Sequence, residues 1–296
     1  MLTASALAAA RADLEGLSIS AAEKYSTDIL DCLNDVSGTQ NPIYFRSVTG
    51  FGLAGVIEDG VLASEDDMAK LPQLTLTAKQ RAIKYGWTFL GQRTDQYGLV
   101  EKSARDAGKK LKATMERDAT NLVLNNAFSS SYPIATASAL YADAHSINGG
   151  TFDNLYTATA LSESAVSGML TQLRKQQDSR NIVMPFQGKV KLIVPPDLLL
   201  TAQKIAASTQ VPGTADNDKN VVAAYIQVVE APFATSATAY AMLPQDKTDH
   251  YMQFYPLVQP VTGMEKVAEG HVKFVHQAAY DMGVELPYST IGCQGA

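Results

Sequence analysis

The side chains best suited to acid–base or metal chemistry are four histidines, His145, His250, His271 and His276. His271 and His276 lie five apart in a run that reads as a strand, where side chains alternate between faces. The two therefore point opposite ways and cannot share a metal ion without a bulge. His250 follows Asp249 in a turn and is expected to be solvated, and His145, within ADAHSINGG, stands in a loop with no cysteine or second histidine nearby. Nucleophiles fare no better. Ser167 lies between Val166 and Gly168 in a predicted helix, whereas a Gly-x-Ser-x-Gly hydrolase needs its serine on a sharp strand-to-helix turn. Gly50-Phe51-Gly52 stops short of the dinucleotide fingerprint, and no glycine-rich run ends in Gly-Lys-Ser/Thr. Asp66-Asp67 is a carboxylate pair in a polar run, where water solvates both groups rather than leaving them coupled. Cys32 and Cys293 offer neither a metal-ligand spacing nor a disulfide framework and read as free thiols. These patterns point to no catalytic residue, no cofactor and no metal.

The element that organises the rest is a long amphipathic helix predicted from Asp95 to Phe128. Ala104, Ala107, Leu111, Met115, Ala119 and Leu122 recur at steps of three or four, while Lys102, Lys109, Lys110, Lys112, Glu116 and Arg117 fall largely elsewhere on the wheel. Asp95 is the expected N-cap, and Asn125, Asn126 and Pro133 set the end. Roughly thirty helical residues would span about 45 Å. The stripe is thin and rich in alanine, and Gly98 and Gly108 lower the helicity, so the helix is expected to lie along a sheet.

Before it come two predicted helices, Ala4 to Leu17 and Ser20 to Leu33, the second opened by a capping box of Ser20 with Glu23. A strand follows from Ile43 to Val48. Residues 50 to 74 have no steady period and read as a long loop, and Leu74 to Leu90 reads as one extended strand returning that loop to the long helix. After it, a polar connection runs through Tyr141 to Gly150 without a clear period. A helix then starts at Leu161-Ser162 and is closed by Pro185 and Gly188. Lys189 to Val194 is a buried strand and Asp197 to Ala207 a helix. From Val221 onward four stretches alternate as strands: Val221–Glu230, Ala237–Leu243, His250–Val258 and His271–Ala279. The class is α+β.

At 296 residues with 46% hydrophobic content, the chain can build a sizeable core. No apolar run is long enough to span a bilayer, and residues 1–19 carry Arg11, Asp13 and Glu15 rather than a signal peptide, so a soluble protein made in a cytoplasm is expected. A net charge of −6 argues against gripping nucleic acid over a broad surface, although it is compatible with enclosing it.

An ordered series of landmarks then becomes informative: Asn126-Ala127-Phe128-Ser129-Ser130, Leu140-Tyr141-Ala142-Asp143-Ala144-His145, Gly149-Gly150, Asn154-Leu155, Leu161-Ser162 and KLIVPPDLLLTAQKIA from Lys189 to Ala206. Over residues 127–207 this series resembles the major head subunit family of bacteriophage Mu. Ala144 departs from it, since relatives commonly carry Asp before the histidine, and no fixed role is carried over to His145. The resemblance implies the Hong Kong 97-type capsid fold, with an N-terminal arm (1–45), an extended loop (46–92), a peripheral domain with the spine helix (93–150, joined by strands between 232 and 275) and a mainly axial domain (151–296). It implies a structural protein, not an enzyme, that assembles with itself into hexamers and pentamers of an icosahedral head around double-stranded DNA. A portal, a separate scaffold and a decoration protein are the implied partners, and assembly in the host cytoplasm into the virion is the implied location. A cellular compartment shell of the encapsulin type and, behind it, a soluble enzyme of unknown type are the alternatives. Charge placement adds one expectation. Glu58, Asp59, Glu65, Asp66 and Asp67 make the loop acidic, while Lys102, Arg105, Lys109, Lys110 and Lys112 make the exposed side of the spine helix basic, so the loop of one copy is expected to lie on the helix of the next.

Overall fold

The computed structural model describes residues 4–54, 65–88, 94, 98–130, 134–136, 138–184, 186–210, 219–266 and 272–296. In chain order the elements are α1 (Ala4–Glu23), β1 (Asn34–Asp35), β2 (Ile43–Val48), β3 (Lys70–Leu76), β4 (Lys79–Trp87) and α2 (Leu99–Thr120), which runs on through one wider turn, Asn121–Asn125. Then come β5 (His145–Ile147), β6 (Gly150–Phe152), β7 (Leu155–Tyr156), α3 (Glu163–Arg174), β8 (Val190–Val194) and α4 (Pro196–Ala207). The last elements are β9 (Ile226–Glu230), β10 (Tyr240–Pro244), β11 (Met252–Lys266), β12 (Val272–Val284) and β13 (Ile291–Cys293). No helix among the described residues is long and apolar enough to cross a membrane.

One sheet has the order β1-β11-β12-β4, built on the long antiparallel pair β11–β12. The other has the order β7-β13-β10-β8-β9. In it β8, α4 and β9 form a parallel crossover unit, with Pro196 at the first turn of α4, where its missing N–H costs nothing. Valine, leucine and isoleucine fill β8, and four of its five residues are buried with Lys191 half-buried, as expected of a strand covered on both faces. The α3 and α4 side chains Val166, Met169, Leu170, Leu173, Ala202 and Ile205 pack on this sheet.

Ala104, Ala107, Leu111, Met115, Ala119 and Leu122 of α2 are all buried, so the apolar stripe is the packed face. The helix lies on β12 and β4, and α1 also packs along it. Gly108 is the crossing point: a Cβ there would come within 2.2 Å of the Ser18 carbonyl oxygen. The glycine that weakens the helix in isolation is what lets α1 approach.

Several local expectations are overturned by long-range contacts. Residues 4–23 form one helix, with Ser20 inside it rather than capping a second. Ile29 and Leu33, spaced as if helical, flank instead a short 3-10 turn, Leu30–Cys32. The Ile29 and Leu30 N–H groups donate to the buried Glu116 carboxylate of α2, at 2.7 and 2.9 Å. Burial raises the pKa of that carboxyl even though both bonds oppose the shift. Asp95 lies outside the described residues, and the N-cap position of α2 is Gly98, in the left-handed region at φ 61°. The Leu74–Leu90 stretch is two strands. β3 pairs with β2 in a ribbon and β4 joins β12, the chain breaking at Thr77, whose N–H donates to Asp281. α3 ends at Arg174, well before Pro185. The connection near Gly150 is a β5–β6 hairpin turning through Asn148 and Gly149, both at positive φ.

Candidate functional site

The histidines were the first candidates for chemistry, and each described ring is committed to the protein. His250 is buried, not solvated as its turn suggested: Nε2–H donates to the Cys32 carbonyl oxygen at 2.8 Å, and Nδ1 accepts from the Met252 N–H at 3.3 Å. Burial brings its pKa down to about 4. His276 is buried between α1 and the sheet, with Nδ1 2.9 Å from both Ser18 Oγ and Thr262 Oγ1 and Nε2 3.2 Å from the Tyr85 hydroxyl. His271 lies outside the described residues. Cys32 and Cys293 are free and buried.

His145 has the connectivity of a catalytic base: Ser138 Oγ lies 3.1 Å from Nδ1, and Nε2 lies 2.9 Å from Asn154 Oδ1. Its surroundings make it structural. The imidazole is 1% exposed and stacks on Phe152 at 4.8 Å, and burial lowers its pKa. Asn154 is saturated. Oδ1 also accepts from the Ala142 N–H at 2.9 Å, and Nδ2 donates to the Leu140 and Pro287 carbonyl oxygens at 2.8 and 3.0 Å. One buried amide thus ties residues 140–145 to the segment around Pro287, and loss of such a group would strand several buried partners. Tyr141 packs against Gly292, where a Cβ would lie 2.2 Å from the ring, and a Cβ on Gly150 would lie 2.5 Å from the Ser179 carbonyl oxygen. Ser162 caps α3, its Oγ accepting from the Ala165 N–H at 3.2 Å. The landmarks of the sequence are therefore the joints of this packing.

With no committed chemistry, the remaining candidates are surfaces. Lys102, Arg105, Lys109 and Lys110 are exposed on α2 and Lys112 is half-buried. Arg105 also meets Glu101 one turn earlier at 3.6 Å. Lys109, Lys110 and Arg117 border a concavity of about 350 Å³ with Tyr25, Asp106 and Phe233. On the other side of Lys109, Arg105 and Lys24 border a second of about 330 Å³. Lys24, just past α1, extends the stripe beyond the helix itself.

Of the loop acids, Glu58 and Asp59 lie outside the described residues, and Glu65 and Asp67 are exposed. Asp66 is different. It is bound within its own chain by Arg180, whose Nη1 reaches both carboxylate oxygens at 2.7 Å. Arg180 and the Gly52 N–H hold the Asp66 pKa below the usual carboxylate range. The β2–β3 ribbon below this point presents Tyr44, Val48 and Met68 to solvent, and Phe51 and Leu53 beyond it are 61% and 82% exposed. These exposed large apolar side chains lie together along one ribbon, the kind of surface that suits a contact with another protein.

A family model described as "Phage capsid protein" matches residues 72–286. The chain belongs to that family. No curated protein matched the sequence. Among solved structures, this capsid protein is similar to the capsid of the cyanophage P-SCSP1u (TM-score 0.62, 10% identity, 92% of this chain and 89% of that one). It is also similar to a structure from Mycobacterium phage Che8 (TM-score 0.59, 11% identity, 92% and 93%). A third similar structure is a virus-like particle from Pyrococcus furiosus (TM-score 0.53, 13% identity, 95% and 97%). The capsid protein has the Hong Kong 97-type fold, with α2 as its spine helix and the β2–β3 ribbon as the base of its extended loop.

Proposed function

We propose that this capsid protein is the repeating subunit of a tailed-phage head, forming hexamers and pentamers that close into an icosahedral shell around double-stranded DNA. The observation that carries this reading is the family match over residues 72–286. The shape of the chain supports it, because the exposed apolar side chains of the ribbon need a second surface to cover them. In this reading the arm, loop, peripheral and axial regions divide near residues 45, 92 and 150, with β4 belonging to the peripheral sheet through its pairing with β12. A separate scaffold and a portal are its partners, the head is assembled in the host cytoplasm, and the subunit performs no catalysis. Within the family we place it with the Mu-type head subunits, since the landmarks shared with them hold structural joints such as Asn154 and Ser162.

We further assign the contact between copies to charge: the exposed acids Glu65 and Asp67, with Glu58 and Asp59, meet the Lys102, Arg105, Lys109, Lys110 and Lys112 stripe of the next copy. Asp66 is removed from that set by its bond to Arg180. A second reading, a cellular compartment shell, is favoured by the likeness to the Pyrococcus furiosus particle. Electron microscopy of the purified protein separates the readings. Closed shells holding DNA in native particles support the head subunit, shells holding cargo protein support the compartment, and a monomer under all assembly conditions refutes both.

A further inference from the structure

The ribbon that carries the extended loop is fixed to the body at successive points. At its root the Ala78 N–H donates to Asn41 Oδ1 at 3.0 Å and the Thr77 N–H to Asp281 at 2.8 Å. Further out, Ser47 Oγ meets the Glu285 carboxylate, and Leu71 packs on Ile147, Phe152, Leu286 and Tyr288. The outermost attachment among the described residues is Arg180. Besides Asp66 it donates through Nη2 to the Asp67 carbonyl oxygen and to Thr49 Oγ1, the latter at 3.5 Å. One guanidinium thus holds both strands of the ribbon. Thr49 Oγ1 accepts from the Ala69 N–H at 2.9 Å, and Asp66 Oδ2 from the Gly52 N–H at 2.6 Å, so each strand is also tied to the other at this level.

The turn that offers Arg180 is itself rigid. Asp178 Oδ1 accepts from the Arg180 and Ile182 N–H groups at 2.8 and 2.9 Å, Asn181 sits at φ 60°, and the Ser179 carbonyl is packed against Gly150. An arginine fork on a fixed post reads a carboxylate and two further acceptors at defined angles, which an ammonium group on a flexible stem does not.

We propose that Arg180 is a positioning residue: a latch that sets the angle at which the extended loop leaves its own subunit, so that the loop is already aimed when copies meet. Gly52 and Asp66, rather than the root at Thr77, are the held points nearest the loop. Because the latch orders the base of the loop before association, less conformational freedom is lost at each contact. This rests on the shell reading for its purpose, although not for its existence.

The test is amide hydrogen exchange on unassembled full-length subunits, followed by assembly of the same proteins. Arg180→Gln is expected to speed exchange at Gly52 and Ala69 by about tenfold while Thr77 keeps its rate, since the bonds lost are charge-assisted and local. Arg180→Lys, which keeps the charge but not the fork, falls between. In assembly, Arg180→Gln gives open or mis-sized shells and Arg180→Lys gives a larger share of closed ones. Unchanged rates at Gly52 and Ala69, or equal acceleration at Thr77, overturn the latch. Altered exchange with normal shells from every variant overturns its role in aiming the loop. Failure of the parent itself to form shells refutes the head reading while the exchange data still decide the latch.

Discussion

Acidification should destabilise the isolated subunit through His250 well before its surface carboxylates are protonated. The ring is buried and its neutral form is specified twice, by Nε2–H on Cys32 and by Nδ1 accepting from Met252. A proton on Nδ1 breaks the second bond and places a cation without solvent near Lys191 and Lys247, with Asp246 only partly offsetting them. The folded pKa of about 4 lies below the ordinary 6.5, so the folded state binds fewer protons than the unfolded one. The stability that His250 contributes is whole above 6.5 and is lost as the pH falls toward 4. Between pH 7.5 and pH 5 the loss is about 2 kcal/mol, against a total of about 5–15 for a folded domain. Urea unfolding at the two pH values measures it, with His250→Gln as the control that cannot titrate. The variant should lose about 2 kcal/mol less than the parent over that interval. His145 and His276 are shifted the same way and leave a remaining slope in both proteins. Equal losses in parent and variant would refute the argument that neutral His250 is required.

Ile193→Asp puts a carboxylate into the middle of β8, where Ile193 is 0% exposed, and should cost several kcal/mol, leaving insoluble or unassembled protein on fractionation. Gly108→Ala should destabilise by about 1–3 kcal/mol in thermal unfolding, because overpacking against Ser18 outweighs the gain in helix propensity of about 1 kcal/mol. Lys109→Glu with Lys110→Glu should block assembly while circular dichroism shows a folded subunit, and Glu65→Lys with Asp67→Lys should restore it in part. Assembly of both double mutants at the parent's salt concentration would show these charges to be solvated.

What could be read from the sequence was what local period decides. The α2 stripe, the apolar run of β8 and the proline-opened α4 are buried by their own spacing, so each lies close to its predicted range. What could not be read depends on partners far along the chain. Ile29 and Leu33 are spaced like a helix, yet the acceptor that claims the Ile29 and Leu30 N–H groups is Glu116, 87 and 86 positions away. The break at Thr77 is made by Asp281, and the burial of His250 by Cys32. Arg180 carried no local signal beyond a polar turn, because its partner Asp66 lies 114 residues earlier. The basic stripe was visible because α2 displays it at helical spacing. Lys24 adds to it because the end of α1 lies beside α2.

The position of β13 bears on when a subunit can first meet a neighbour. Residues 291–293 form an interior strand of their sheet, between β7 and β10, and Pro287 and Gly292 supply two of the partners of Asn154. A ribosome adds these residues after everything they hold together. The sheet keeps a gap and Asn154 lacks two partners until synthesis has passed residue 293. A chain ending before residue 291 would leave β7 and β10 without the strand between them and Asn154 without its Gly292 contact, so the last strand to be made is one the sheet cannot close without.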